Sequence, residues 1–369
     1  MPAWKSLAST EEPPGECWAM ATRRLPPQPV WATNQFSRGR GKHMGKHFWA
    51  AFATVLAFWA TPATSQTTAP LRAWNIHPDG YPVTEAMKSF AAEVQAGTQG
   101  RHQIQIFSDA VLGDQSKAVQ MLKAGEIDVA EFNLGPLAEA VPPLQAFNLP
   151  FLFSSATHMF RYLDGPMGER LAEKLKASGY VVLGWYNGGA RSFYCADKPI
   201  TRREDLAGLR IRVQQVDSHI EMVKLLGATP VVVPYKEVPE SFRAGRIDCA
   251  EGNIVSYEST GQYKLAKYML LDQHIIAPEA LVVSTQLWNR LNEEDRKVFL
   301  KAGKDSALLM RGLWEKRELA ARTALAKEGV QFVHVADFSP YVRRMAPLYK
   351  KYTDNPDVRG DLLTIISNQ

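Results

Sequence analysis

From Leu71 onward, apolar and polar positions switch between a period of two and a period near 3.6, in the order β-α-β-α-β. Leu71–Ile76 reads as a strand that stops at the turn-rich H-P-D-G-Y-P. From Val83 to about Ala96, the residues Ala86, Met87, Phe90 and Val94 recur on one helical face. Gln103–Phe107 alternates as a half-buried strand does, and L-G-D-Q then opens a second helix. That helix runs into M-L-K-A-G-E-I-D-V-A-E-F-N at Met121–Asn133. A glycine able to adopt positive φ ends the helix, and a short apolar strand follows and finishes on Glu-x-Asn. Such an order predicts a sheet covered by helices on both faces.

The same phrase returns at Ser241–Asn253, S-F-R-A-G-R-I-D-C-A-E-G-N. Ala124, Gly125, Ile127, Asp128, Ala130, Glu131 and Asn133 recur as Ala244, Gly245, Ile247, Asp248, Ala250, Glu251 and Asn253. Two similar lobes, each delivering a strand end to a shared cleft, would give that echo its meaning. Between the copies, the Pro-rich apolar passage Val141–Phe153 reads as a buried connection, and D-G-P-M-G starts a helix. Val181–Tyr186 is a strand, which G-G-A-R at Gly188–Arg191 breaks and restarts. Gly208–Gln214 puts Leu209, Ile211 and Val213 on one face and Arg210 and Arg212 on the other. A helix Asp217–Leu226 and a strand Pro230–Val233 follow, then a helix that tolerates Pro239 in its first turn. Ala280–Ser284 is another strand. The run from about Asn292 to Glu328 is far longer than an average globular helix, so it either bridges lobes or kinks at Gly303 or Gly312.

A chain of 369 residues favours two domains over one core. The front end is expected to contribute to neither. Met44-Gly45-Lys46-His47 is a basic start, Phe48–Ala60 is an apolar core too short to span a bilayer, and Ala63 and Ser65 fit a cleavage site. Residues 1–43 read as an unstructured leader from an over-extended start, and 44–65 as a secretory signal peptide. Removing them takes seven Lys/Arg from 43 and three Asp/Glu from 38, leaving 36 against 35. The nominal net charge of +5 therefore belongs to the leader, and nothing in it calls for a nucleic-acid partner. Cys17 also lies in the leader. Cys195 and Cys249 remain, in an oxidising compartment, either as one disulfide or as two buried thiols. No histidine sits at metal spacing from them.

Catalytic signatures are missing: the sequence has no G-x-S-x-G, H-E-x-x-H, Walker-type loop or G-x-G-x-x-G. Binding is favoured over turnover. Arg191 follows the glycine break and Arg212 ends a strand, where ligands of open α/β sheets bind. An arginine in a partly dry cleft forks both oxygens of a carboxylate, while one on the surface is merely solvated. Asn133, Asn253, Asn187, Gln214, Glu131 and Glu251 are candidates for hydroxyl contacts, although the two glutamates have the alternative of satisfying strand-end backbone. Tyr235 is a candidate apolar wall, and His77 and Gly252 complete the candidate set. Asp128 and Asp248 read as turn ligands.

Taken in order, L-G-D-Q, D-G-P-M-G after L-P-F-L-F, G-G-A-R-S-F-Y, D-L-A-G-L-R-I-R-V-Q-Q, L-L-G-A-T-P, and I-D-C-A-E-G-N with S-Y-E-S at Ser256–Ser259 form a resemblance. The chain resembles the substrate-binding protein of tripartite ATP-independent periplasmic (TRAP) transporters, of the DctP type, from Leu71 to Asn292. G-A-R-S-F-Y, R-V-Q-Q and S-Y-E-S look most like the branch that binds sugar acids such as glucuronate and galacturonate. The resemblance implies that Arg212 pairs with the substrate carboxylate and that Arg191 is the second basic contact. The family asparagine of D-G-x-E-N falls on Gly252, beside Asn253. Cys249 stands where glycine is usual, Cys195 where threonine is common, and Ile254-Val255 replace Trp-Pro.

The expectation is therefore an α/β, two-lobe periplasmic binding protein fold with a hinge and a long C-terminal bracing helix. Lobe I is placed at 66–189 plus 279–318, and lobe II at 190–278 plus 319–369. The implied function is a monomeric, cofactor-free, non-enzymatic receptor that hands a small carboxylate to the integral-membrane TRAP subunits. Alternatives are a binder of a C4-dicarboxylate or other carboxylate, a periplasmic sugar-acid enzyme, and a ligand-sensing partner of a receptor kinase.

Overall fold

Strands and helices form close to where the periodicity places them, and the strands join one mixed sheet. The structure, a computed structural model, describes residues 69–138 and 140–368. The expected leader and signal peptide lie outside the described residues.

The strands are β1 (Leu71–Trp74), β2 (Ile104–Phe107), β3 (Val129–Asn133), β4 (Tyr180–Cys195), β5 (Arg210–Val213), β6 (Thr229–Val232), β7 (Cys249–Asn253), β8 (Tyr268–Leu270), β9 (Ile275–Ser284) and β10 (Gln331–Val333). Their order is β2-β1-β3-β9-β4-β7-β5-β6, with β8 added to β4 and β10 to β8. In each half, parallel strands (β2-β1-β3 and β6-β5-β7) end against a long antiparallel strand, β9 or β4. The sequence echo is thus a structural one, with β3 and β7 in equivalent places. Its aspartates confirm the equivalence. Asp128 Oδ2 accepts from Arg72 N at 2.9 Å, and Asp248 Oδ2 accepts from Arg210 N at 2.8 Å. Gly125 and Gly245 both adopt positive φ, as the turn into each strand requires.

Helices pack on this sheet through the faces that the spacing marks. The helix Pro82–Gly97 starts on proline, whose missing N–H costs nothing in a first turn. Its Val83, Ala86, Met87, Phe90 and Val94 are buried. Phe90 meets Phe299 of the long helix with ring centroids 5.8 Å apart. Burying one such Phe or Met contributes roughly 1.5–3 kcal/mol. The passage 141–153 is largely buried, as expected, with Leu144, Phe147, Leu149 and Leu152 inside.

One expectation changes. G-G-A-R does not break the strand: β4 runs from Tyr180 through Cys195, with register shifts against β9 between Val182 and Gly184 and between Asn187 and Ala190. Gly189 lies at φ +77°, and a Cβ there would stand 2.2 Å from the Trp314 ring, so the strand passes where only glycine fits. The long helix, Glu293–Lys327, runs without interruption. Gly303 lets it approach β4, since a Cβ there would meet Leu183 O at 2.7 Å. It spans both halves, packing on the helix Pro82–Gly97 and β4 and then on Ile254–Ser259, where Arg317 pairs with Glu258.

Cys195 and Cys249 lie directly opposite each other on β4 and β7 and form a disulfide. It closes a loop with a sequence separation of 54. The chain-entropy relation gives on the order of 4 kcal/mol for such a loop. A Cys195→Ala/Cys249→Ala variant is expected to unfold in urea with a stability lower by about 2–4 kcal/mol. An unchanged midpoint, or two titratable thiols in the denatured, unreduced wild type, would refute the bridge.

Candidate functional site

The ends of the strands converge on one cleft. β5 delivers Arg212 and Gln214, the segment after β6 brings Tyr235, and β7 ends with Glu251, Gly252 and Asn253. From the other half, β3 ends at Asn133 and the loop after β1 carries Ile76 and His77. β4 adds Arg191. Ile76, Arg212, Gln214 and Tyr235 also line an adjoining depression with Gln215 and Pro234. Ligands of open α/β sheets bind at such carboxyl ends.

Nine of the eleven candidate residues line this cleft: Arg212, Arg191, Asn253, Asn133, Gln214, Tyr235, Glu251, Gly252 and His77. Glu131, fully buried, does not, and neither does Asn187. Asn187 lines a separate depression with Phe160, Arg311 and Glu315, and its Oδ1 accepts from Gly189 N at 3.0 Å, which shapes the β4 irregularity there. Gln115, Tyr194, Ser256, Gln262 and Glu279 also line the cleft. Gln115, Tyr194 and Ser256 fall inside L-G-D-Q, G-G-A-R-S-F-Y and S-Y-E-S, which carried a signal. Gln262 and Glu279 had no local signal.

The two arginines are held differently. Arg191 is committed to β7: its Nε donates to Glu251 Oε2 at 2.6 Å and one terminal nitrogen to Glu251 O at 3.0 Å. Arg212 donates only through Nε, to Val233 O at 3.0 Å, with Glu251 Oε1 4.0 Å from its nearer terminal nitrogen. Among the described residues, the terminal nitrogens of Arg212 have no hydrogen-bond partner. The backbone bond fixes the guanidinium plane and leaves its fork for a planar anion.

Beneath them lies a buried charge cluster. Glu251 is fully buried and faces Arg191, Arg212, His219 at 3.9 Å and His274 at 3.8 Å. Burial alone would raise its carboxyl. The Arg191 charge and its hydrogen bond, with the His274 imidazolium close by, outweigh burial and hold it far below the usual carboxylate range. Burial disfavours charge on His274 as well, but Asp272, at 2.8 Å from its Nδ1, and Glu251 push it up to about 9. His219, with burial dominant, falls to about 3 and is neutral. Arg191, Arg212 and His274⁺ thus outnumber Glu251 and Asp272, leaving this cluster net positive beneath the Arg212 fork and suited to an anion there.

Hydrogen-bonding groups surround that floor. Gln214 Oε1 and His77 Nδ1 are buried with no partner among the described residues, and burial drops His77 to about 3, so its ring is neutral. Asn133 and Asn253 cap the helices that follow them, accepting from Gly135 N at 3.0 Å and Ser256 N at 2.7 Å. His77 stacks on Tyr81 at 3.8 Å and meets Tyr235 edge-on at 5.7 Å, which makes one wall aromatic. Contacts cross the cleft: Tyr81 Oη lies 3.0 Å from Ser256 Oγ, and Lys236 pairs with Asp109 at 2.9 Å. At Gly252, a Cβ would stand 3.4 Å from Tyr194 Oη and 3.9 Å from an Arg191 nitrogen, so a longer side chain there would enter the cleft.

Among the described residues, no His/Cys/Asp/Glu group suits a metal ion, and no helix is long and apolar enough to cross a membrane. The family model for bacterial extracellular solute-binding protein, family 7 (DctP), matches residues 75–355. A solute-binding protein of Chromohalobacter salexigens is 38% identical over 297 residues, covering 80% of this chain and 88% of its own. The crystal structure of a TRAP periplasmic solute-binding protein from Roseobacter denitrificans with bound β-D-glucuronate superposes with a TM-score of 0.79. It is 39% identical and covers 80% of this chain and 99% of its own. One from a Sulfitobacter species with bound β-D-galacturonate has a TM-score of 0.79, 38% identity, and coverage of 82% and 100%.

Proposed function

This chain belongs to the DctP family of bacterial extracellular solute-binding proteins, and from that premise we propose that it captures a hexuronate, glucuronate or galacturonate, for a TRAP membrane transporter. The observation that carries the reading is the Arg212 fork, anchored through Nε and with no other hydrogen-bond partner among the described residues, over a net positive buried cluster. Similar structures with bound glucuronate and galacturonate support the choice of acid. In this reading Arg212 grips the carboxylate and the remaining terminal nitrogen of Arg191 assists. Gln214, His77, Asn133 and Asn253 meet hydroxyls, and Tyr235 packs against the sugar ring.

We place lobe I at 66–189 plus 279–318 and lobe II at 190–278 plus 319–369, with the hinge where β4 and β9 pass between halves. Closure about such a hinge is an established way of enclosing a ligand. Export through the 44–65 signal, a monomeric state and hand-over to integral-membrane subunits complete the proposal. Calorimetry on the mature protein is expected to give saturable binding of D-glucuronate or D-galacturonate, with the sugar recovered unchanged. No binding of either, with clear binding of a C4-dicarboxylate or an aromatic acid, would overturn the choice of acid. Consumption of the uronate would overturn the receptor role.

A further inference from the structure

The internal repeat sets β3 and β9 in correspondence with β7 and β4, and the corresponding side chains differ in one telling way. Asn253 on β7 stands opposite Arg191 on β4, and Asn133 on β3 stands opposite Glu279 on β9. Glu251, two residues before Asn253, is buried against Arg191. Its counterpart Glu131, equally buried, therefore faces a glutamate where Glu251 faces an arginine. As two carboxylates, neither could donate to the other. Both oxygens of Glu131 and Oε2 of Glu279 would then be buried without any donor among the described residues. Two carboxyls in contact cannot both ionise in such a place, and one shared proton satisfies them.

We propose that Glu131 and Glu279 form a proton-sharing acid pair on the β3–β9 wall of the cleft, and that Glu279 presents its carboxyl to a hydroxyl of the bound sugar acid. The proposal rests on the uronate reading above. Glu279 lines the cleft and Glu131 stands behind it. Burial raises both groups: Glu131, with the Glu279 charge adding to burial, rises well above its ordinary value, and Glu279 rises to about 7. Asn133, by hydrogen bonding, and Arg191, by charge, pull Glu279 the other way. From β4 the pair also faces Tyr186, and Glu279 faces Tyr81 from the loop before the helix Pro82–Gly97; burial keeps both phenols neutral. The long helix presents Ser306, bonded to Tyr186 Oη at 2.9 Å.

The sign follows from charge. A uronate carboxylate is ionised throughout the neutral range, so binding it favours a second proton, on Glu279, in a pair that already shares one. Proton uptake accompanies binding, and affinity falls as pH rises through about 7. In the mature wild type, uronate affinity is expected to be about tenfold weaker at pH 8.5 than at pH 6.5, with uptake of part of a proton measured in buffers of different ionisation heat. Glu279→Gln keeps a neutral hydrogen-bonding group, and its affinity is expected to stay within about twofold over that range. Without ligand, infrared spectra at pH 6.5 should show a protonated-carboxyl band that weakens in Glu131→Gln. Absence of that band overturns the shared proton. The band with pH-independent binding and no proton uptake overturns the ligand contact. The band with no uronate binding at any pH sinks the uronate reading and leaves the acid pair supported.

Discussion

Replacing Arg212 by alanine is expected to weaken D-glucuronate or D-galacturonate binding by about 2–5 kcal/mol, roughly thirty- to several-thousand-fold in Kd. Three features of the side chain set this size. It is 4% exposed, so a carboxylate reaching it leaves water behind and the pair is poorly screened. Its Nε bond to Val233 O fixes the guanidinium before ligand arrives, so little ordering is lost on binding. Its terminal nitrogens have no hydrogen-bond partner among the described residues, so their hydrogen bonds to ligand replace no internal ones. Arg212→Lys should recover little, because an ammonium lacks both the fork and the backbone anchor. The fold should survive either change, since Glu251 keeps Arg191 at 2.6 Å. Alanine-variant affinity within twofold of wild type, by calorimetry on protein with an unchanged melting curve, would remove Arg212 from the carboxylate contact. Near-native binding by the lysine variant would show that charge alone suffices.

Much of this site was legible in the sequence because its residues lie at strand ends marked by a repeated phrase. Ala-Gly-x-Ile-Asp-x-Ala-Glu-x-Asn encodes a helix stop, a turn, a short strand and a cap, and each half of the sheet uses it once. Local chemistry sufficed there. It failed where a distant partner decides. Gly188-Gly189 reads as a break, yet β4 continues because Trp314, 125 positions on, fills the space a side chain would need. Arg210 and Arg212 alternate on the same strand face, but one is exposed and paired with Asp248 while the other is buried under the cleft. Three-residue strands such as β8 and β10 carry too little periodicity to be seen. The helices Ser339–Arg344, Ala346–Thr353 and Pro356–Ser367 were not read at all. The partnership of Glu131 with Glu279 depends on the β3–β9 register, which joins positions more than a hundred residues apart.

Glu251→Gln is expected to lower folding stability at neutral pH by about 3–5 kcal/mol, the range for breaking a buried ion pair from one side. The carboxylate is the negative group nearest Arg191 and Arg212 and the second acidic neighbour of His274. Without it, two guanidiniums remain in a dry site with only the His274–Asp272 pair beside them. The pH dependence distinguishes this account from a simple packing defect. Glu251 has a depressed pKa in the fold, so its contribution is present above the unfolded value of 4.5 and lost as pH falls through the folded one. His274 is raised from 6.5 to about 9, so its contribution is full below 6.5 and lost as pH rises through about 9. In Glu251→Gln, His274 keeps Asp272 alone and its pKa drops back towards 6.5. The stability gap between wild type and variant should therefore be widest between about pH 5 and 6.5. It should narrow progressively below pH 4.5, where Glu251 takes up a proton in the unfolded chain but not yet in the fold, and again towards pH 9, as the folded His274 loses its own. Working with the gap cancels the acid pair, which titrates alike in both proteins. Urea unfolding from pH 3.5 to 9 measures it, and a gap constant over that range would mean that Glu251 holds the fold by shape and not by charge.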